Sequence, residues 1–204
     1  MSTVEERRAK HLAQRRESIL EAAARVFAHK GFEKATTREI AREAAVSEGT
    51  IYNYFSSKRE LLTALADMVQ AHFAAVVPTP VSRGDDRANI TKAVEGVLGV
   101  IAEHAVVIRG LLTALWEDQG YDAQSFLIPG MSDLVFRVGA YLQGRMAAGS
   151  IRSCDVQVVA RMVVGMIVYL AIPYVRGMEP VPPAAERHRQ AELLVSILTD
   201  GLRT

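Results

Sequence analysis

Two side-chain caps, Thr36 and Ser47, stand eleven residues apart, and their spacing constrains this chain more than any other feature. Thr36-Thr37-Arg38-Glu39 is a capping box. The Thr36 hydroxyl accepts from the amide three residues on, and the Glu39 carboxylate reaches back to the start of the helix. The helix that begins there turns Ile40 and Ala41 inward and stops near Ala44. Ser47 caps the next helix, with Ile51 and Phe55 four apart on its inner face. Only Ala45, Val46 and Ser47 join the two. Short helices joined this closely form a helix-turn-helix, whose second helix fits a DNA major groove. Plain bundles also contain such trios, so the pattern leaves both readings open.

The outward face of the second helix carries Glu48, Gly49, Thr50, Tyr52, Asn53 and Tyr54. Groove reading needs small, hydroxyl, amide and phenol groups of this kind. Asn53 can pair with adenine through two hydrogen bonds, Thr50 can meet a thymine methyl or an acceptor, and Gly49 lets backbone come close. Helix starts at Thr37 and Ser47 can offer amides to phosphate, as can the start at Lys58 with its added charge.

The surrounding pattern is helical nearly throughout. Ahead of the motif, Ile19, Leu20, Ala23, Val26 and Phe27 make an apolar stripe at helical spacing, ended by Gly31. Behind it, Ser57-Lys58-Arg59-Glu60 reads as a second capping box, opening a helix with Leu61, Leu62, Leu65, Met68 and Val69 inward to about Val76. Pro78, Pro80, Ser82, Gly84 and Asp85 mark a break. Further helices are expected at about 86–105, 106–118, 124–148, 155–176 and 184–202. The expected fold is all-α, with nine helices: an N-terminal three-helix segment over residues 1–60 and a helical C-terminal part over 61–204.

Charge divides along the chain. Residues 1–60 hold 12 Lys and Arg against 9 Asp and Glu, and the remainder holds 12 against 14. Arg7, Arg8, Lys10, Arg15 and Arg16 precede the first apolar helix, a modest lean toward a polyanion. One cysteine, Cys154, excludes a disulfide within the chain and fits a reducing cytoplasm. Met1 to Arg16 is charged, with no apolar stretch behind it, and does not read as a secretory signal. Val156 to Val175 is apolar except for Gln157 and Arg161. Its charge-free run from Met162 to Val175 is 14 residues, shorter than the ~20 a membrane span needs, and holds Pro173. It reads as a buried helix, with no membrane partner. Nothing points to an enzyme. Gly-x-Ser-x-Gly, P-loop and His-Glu-x-x-His motifs are absent, and the five histidines (His11, His29, His72, His104 and His188) lack metal-ligand spacing. No catalytic residue, metal or cofactor is expected.

The stretch RRESILEAAARVFAHKGFEKATTREIAREAAVSEGTIYNYFSSKRELL, Arg15 to Leu62, resembles the DNA-binding domain of the tetracycline-repressor (TetR) family over its whole length. The pieces that carry the resemblance are AARVFAHKGFEKATT, IAREAAVSEGTIYNYF and SKRELL. It implies DNA contacts at Thr37, Ser47, Glu48, Gly49, Tyr52, Asn53, Tyr54 and Lys58, to which the residue reading adds Thr50. Thr37, Tyr54 and Lys58 would hold phosphates, and the others would lie near base edges. Two positions depart from the family pattern. Ala45 stands where the turn usually has glycine, at a cost of about 1 kcal/mol if its φ is positive. Glu48 stands where many members carry lysine. It either accepts from cytosine N4 or simply favours the positive start of its helix.

Beyond residue 78 no specific motif appears. The resemblance implies a homodimer through the helices near 155–176 and 184–202 on an inverted-repeat operator, and a cytoplasmic repressor released by a small, largely apolar effector. Val156, Val159, Val163, Ile167 and Leu170 make one stripe for that interface, and Leu193, Leu194, Ile197 and Leu198 line the other helix. Candidates for an effector pocket are His104, Trp116, Phe126, Phe136, Tyr141, Met166 and Tyr169, with Tyr121, Tyr174, Arg109, Glu117 and Asp118 beside them. Aromatics at helical spacing also fill cores. Two other readings stand: a DNA-bound architectural or adaptor protein of the same fold without an inducer, and an activator.

Overall fold

The computed structural model describes Val4–Val77, Asp86–Glu117 and Met131–Leu202. Among the described residues there are nine helices and no strands: α1 Val4–Lys30, α2 Thr37–Glu43, α3 Glu48–Tyr54, α4 Lys58–Val76, α5 Asp86–Glu103, α6 Ala105–Glu117, α7 Met131–Ala147, α8 Val156–Val175 and α9 Ala184–Leu202. The all-helical fold and the short pair α2–α3 agree with the expectation. Residues 124–130, expected at the start of the seventh helix, lie outside the described residues. The chain divides into two compact units, Met1–Met68 with Val106–Phe126, and Val69–Ala105 with Leu127–Thr204.

In the first unit, the charged segment expected ahead of the first apolar helix is itself helical, so α1 begins at Val4. Glu5 and Glu6 in its first turn and His29 and Lys30 in its last both suit the helix dipole. Gly31 ends it at φ 77°, its amide donating to the Phe27 carbonyl. The core of this unit is Ile19, Leu20, Phe27, Ile40, Ile51, Phe55, Leu61, Leu65 and Leu111, all essentially inaccessible to solvent. The Phe27 and Phe32 rings pack 5.4 Å apart. At Gly110 of α6 the helix lies directly on the Ala24 backbone, where an added Cβ would come 2.8 Å from the Ala24 carbonyl carbon.

In the second unit α5 packs against α8 and α9, and α7 packs on α8. Val97, Leu98, Leu134, Val164, Ala171 and Val195 are among its buried residues. Asp155 caps α8, accepting from the Gln157 and Val158 amides. Pro173 is tolerated in the last turn of α8, and its carbonyl accepts from the Met178 and Glu179 amides as the chain leaves the helix. By length and composition α8 is long and apolar enough to cross a membrane, and 39% of that stretch is buried within the protein. Its stripe differs from the expected one. Val163 and Ile167 are buried inside the chain, whereas Val158, Met162, Tyr169, Leu170 and Ile172 are exposed. A helix apolar on nearly every side gives no sequence signal for which side faces in.

Candidate nucleic-acid interface

The interface candidate is built on the two caps. Thr36 Oγ1 accepts from the Glu39 amide at 3.2 Å, and Glu39 Oε2 accepts from the Thr36 amide at 3.2 Å, closing the box at the start of α2. Lys30 pairs with the same carboxylate at 2.5 Å. The Lys30 hydrogen bond, followed by those from Thr36, holds the Glu39 carboxyl below its usual range. The turn takes the left-handed conformation at Ala45, φ 53°. The amide of Val46 then bonds back to Ala41 O at 2.9 Å, which fixes the exit from α2. Ser47 Oγ accepts from the Thr50 amide at 3.1 Å and lies 2.8 Å from Thr50 Oγ1.

These bonds set the outward face of α3. Tyr52 is 53% exposed, and Gly49, Asn53 and Ser47 are exposed beside it. A Cβ at Gly49 would meet only Ser47 Oγ, at 3.9 Å, so packing within the protein does not require glycine there. Thr37 Oγ1 donates to Glu48 Oε1 at 2.7 Å and lies 3.3 Å from the Tyr52 hydroxyl. One threonine at the start of α2 therefore holds two side chains of α3. Glu48 is tied locally at the positive start of its helix, where a carboxylate is favoured.

Lys58 is placed differently from the phosphate-holding role expected of it. Its ammonium donates to the carbonyls of Phe32, Glu33 and Ala35, and it lies 4.4 Å from the Phe32 ring centroid. An ammonium has three donors, and here three carbonyls take them. Lys58 thus clamps the loop between α1 and α2 onto the start of α4. The second capping box is half formed. Ser57 Oγ accepts from the Glu60 amide at 3.1 Å, but the Glu60 carboxylate goes to the amide and hydroxyl of Ser56, at 2.6 and 2.7 Å. The Ser56 hydroxyl and then its amide hold the Glu60 carboxyl below its usual range.

Tyr54 is half-buried and lines a groove of about 500 Å³ with Arg8, His11, Leu12, Gln14, Arg15 and Ser18 of α1. Sequence reading did not single out these α1 residues as a site. Their helical spacing at 8, 11, 15 and 18 was the available signal.

The effector-pocket candidates among the described residues differ in exposure. Phe136 and Tyr169 are 68% and 76% exposed. A large apolar side chain carries no label of which way its helix faces. His104 stacks on His72, ring centroids 4.1 Å apart. Tyr141 is half-buried under Arg145, and burial pushes its hydroxyl up. Met166 is half-buried. Trp116 and Glu117 fall in the last turn of α6, and Asp118, Tyr121 and Phe126 lie outside the described residues. Arg109 Nε is buried without a hydrogen-bond partner among the described residues. So is the Tyr174 hydroxyl, which burial pushes up to about 12.

Comparison with known proteins places this geometry. The family model described as "Bacterial regulatory proteins, tetR family" matches residues 19–65. The HTH-type transcriptional repressor AcnR of Corynebacterium diphtheriae is 44% identical over 66 residues, 32% of this chain and 35% of that protein. This chain spans only about a third of the length of the first such relatives it matches. A longer match runs to an uncharacterized HTH-type transcriptional regulator, Mb2274c of Mycobacterium bovis, 32% identical over 153 residues, 71% of this chain and 74% of that one. Among solved structures, the fatty acid degradation regulator FadR from Bacillus halodurans superposes with a TM-score of 0.73 at 16% identity, covering 93% of this chain and 96% of that one. At that identity the likeness speaks for the fold alone. With helix-turn-helix, fold and relatives in agreement, the chain belongs to the TetR family of DNA-binding transcriptional regulators.

Proposed function

We propose that this regulator is a cytoplasmic repressor that binds an inverted-repeat operator as a homodimer and leaves it when a small molecule enters the second unit. The observation that carries the DNA half is the outward face of α3. Tyr52 and Asn53 stand exposed on a helix whose start is fixed by Ser47 and Thr37. Seven residues are too few to hold a helix in water, so tertiary packing through Ile51 and the caps must set its direction.

The dimer half is supported by an apolar stripe. Val158, Met162, Gly165, Tyr169 and Ile172 repeat at four- and three-residue spacing on the exposed side of α8. That is the spacing of a helix–helix seam. Leu193 and Ile197 of α9 are also exposed, at 64% and 62%. Exposed apolar surface of this kind marks an interaction site, and a second copy would bring two recognition helices to bear one DNA turn apart, ~34–36 Å.

The effector half is supported by buried polar atoms of the second unit that have no partner among the described residues: the Tyr174 hydroxyl, His72 Nδ1 and Gln190 Oε1. Each such atom costs about 1–3 kcal/mol until something satisfies it. A largely apolar ligand with one or two polar groups would do so. Release is then a population shift, carried along α4, whose continuous backbone holds residues of both units.

Selection from random duplex DNA tests this reading, with wild type set against Tyr52→Ala, Asn53→Ala. We expect an inverted repeat from the wild type and loss of its sequence preference in the variant. Sequence-blind, salt-sensitive binding by both would overturn it.

A further inference from the structure

We propose that the first half of α1 is a second DNA-binding element, in which Arg8 and Arg15, together with the Tyr54 hydroxyl, hold backbone phosphates flanking the base pairs read by α3. The inference rests on the reading of α3 as the base-reading helix. Three observations carry it. First, every residue of α1 from Val4 to Ser18 is exposed, and burial begins only at Ile19. About four turns of helix, roughly 22 Å, thus run on without any core packing of their own. Second, Arg8, His11 and Arg15 share one face of that helix, while Glu6 and Glu17 fall on the opposite one. Among the described residues no carboxylate pairs with Arg8 or Arg15. The neighbouring Arg16 is engaged, its guanidinium 5.1 Å from the Phe55 ring centroid. Third, the basic face is continuous with the recognition helix, because Tyr54 at the end of α3 lines the same groove.

The dimensions suit a nucleic-acid backbone. Arg8 and Arg15 lie seven residues apart, about 10.5 Å along the helix. Over that length one strand of B-DNA presents about three phosphates, at ~3.4 Å of axis each. Tyr54 adds a neutral donor at one end of the row. Contacts of this kind carry no base information and would lengthen the footprint rather than change the sequence read.

The experiment uses the full chain and a selected operator duplex in two lengths, one with several flanking base pairs on each side and one trimmed to the repeat. Affinity is measured across a salt series for wild type and for Arg8→Gln, Arg15→Gln, with helix content checked by circular dichroism. Four phosphate contacts per dimer predict that the slope of log K against log salt falls by about 3.6 on the long duplex, with base preference unchanged. Trimming should weaken wild type and leave the variant as it was. A variant that keeps the wild-type slope and affinity on the long duplex overturns the proposal. Should wild type show no sequence preference, the reading of α3 fails by itself. The slope difference on random duplex then decides the role of α1 separately.

Discussion

Thr36–Lys58 and Val156–Leu202 are both helical, but their surfaces are finished in opposite ways. In the first, each helix start is closed by a side chain a few residues away: Thr36, Ser47 and Ser57 all accept the amide three positions on. In the second, α8 turns Met162 and Tyr169 outward at 61% and 76% exposure. The first segment carries its own instructions because hydrogen-bonded caps are short-range and specific to residue type. The second carries no such code, because apolar burial is non-directional and accepts any partner of suitable shape. Sequence motifs therefore name the function of the first and stay silent on the second.

The comparison can be broken most directly at the apolar stripe. Met162→Glu, Tyr169→Glu should leave the helices of the chain intact. Sedimentation should then find a monomer, and operator affinity should fall by about 100-fold or more as one recognition helix is lost from each complex. A variant that stays dimeric would remove α8 from the interface.

Within the first unit, Gly110→Ala should cost about 3 kcal/mol in urea denaturation. Its Cβ would meet the Ala24 carbonyl carbon at 2.8 Å and the oxygen more closely still, and backbone cannot step aside as a side-chain end can. Lys58→Met keeps the stem over Phe32 and deletes the ammonium that three carbonyls share. It should cost about 2 kcal/mol of stability while leaving the salt dependence of DNA binding unchanged. A lowered salt slope at full stability would return Lys58 to the phosphate-holding role. Ala45→Gly should gain roughly 0.5–1 kcal/mol in the same assay, since φ 53° strains an alanine and suits glycine.

The smallest effect belongs to the second unit. His188 Nδ1 lies 3.2 Å from Glu95 Oε2, and Nε2 lies 3.5 Å from Glu192 Oε1. The Glu95 hydrogen bond, followed by the Glu192 charge, raises its pKa above 6.5. A raised pKa means that the charged form is favoured on folding. Its contribution is fully present below the unfolded value and fades as pH rises through the folded one. Wild type should lose slightly more thermal stability between about pH 6 and about pH 8 than His188→Gln, and equal losses would show that the contact contributes nothing.

The helix-turn-helix was legible because its signals sit within two dozen residues, and both caps and the positive φ at Ala45 follow the sequence reading. The carbonyl contacts of Lys58 were hidden from the sequence for a physical reason. A lysine at a helix start reads as a phosphate ligand, and only the fold brings the Phe32, Glu33 and Ala35 carbonyls back to it across more than twenty residues. Arg8 and Arg15 were visible as charge, but their alignment with Tyr54 was not, since it depends on the packing of α1 against the rest of its unit. Phe136 and Tyr169 were taken for pocket residues because composition carries size and polarity but not direction.

The sequence by itself marked most of the helices, the caps at Thr36 and Ser47, the close turn at Ala45 and the family. Their signals lie in residue types a few positions apart, although helices as short as α2 and α3 persist only with tertiary packing behind them. Only the tertiary structure decided which face of α8 lies outward, where the Lys58 ammonium goes, and that Gly110 lies on the Ala24 backbone. Those outcomes depend on which surfaces meet across long separations in the chain, and apolar attraction sets that through shape rather than through any local code.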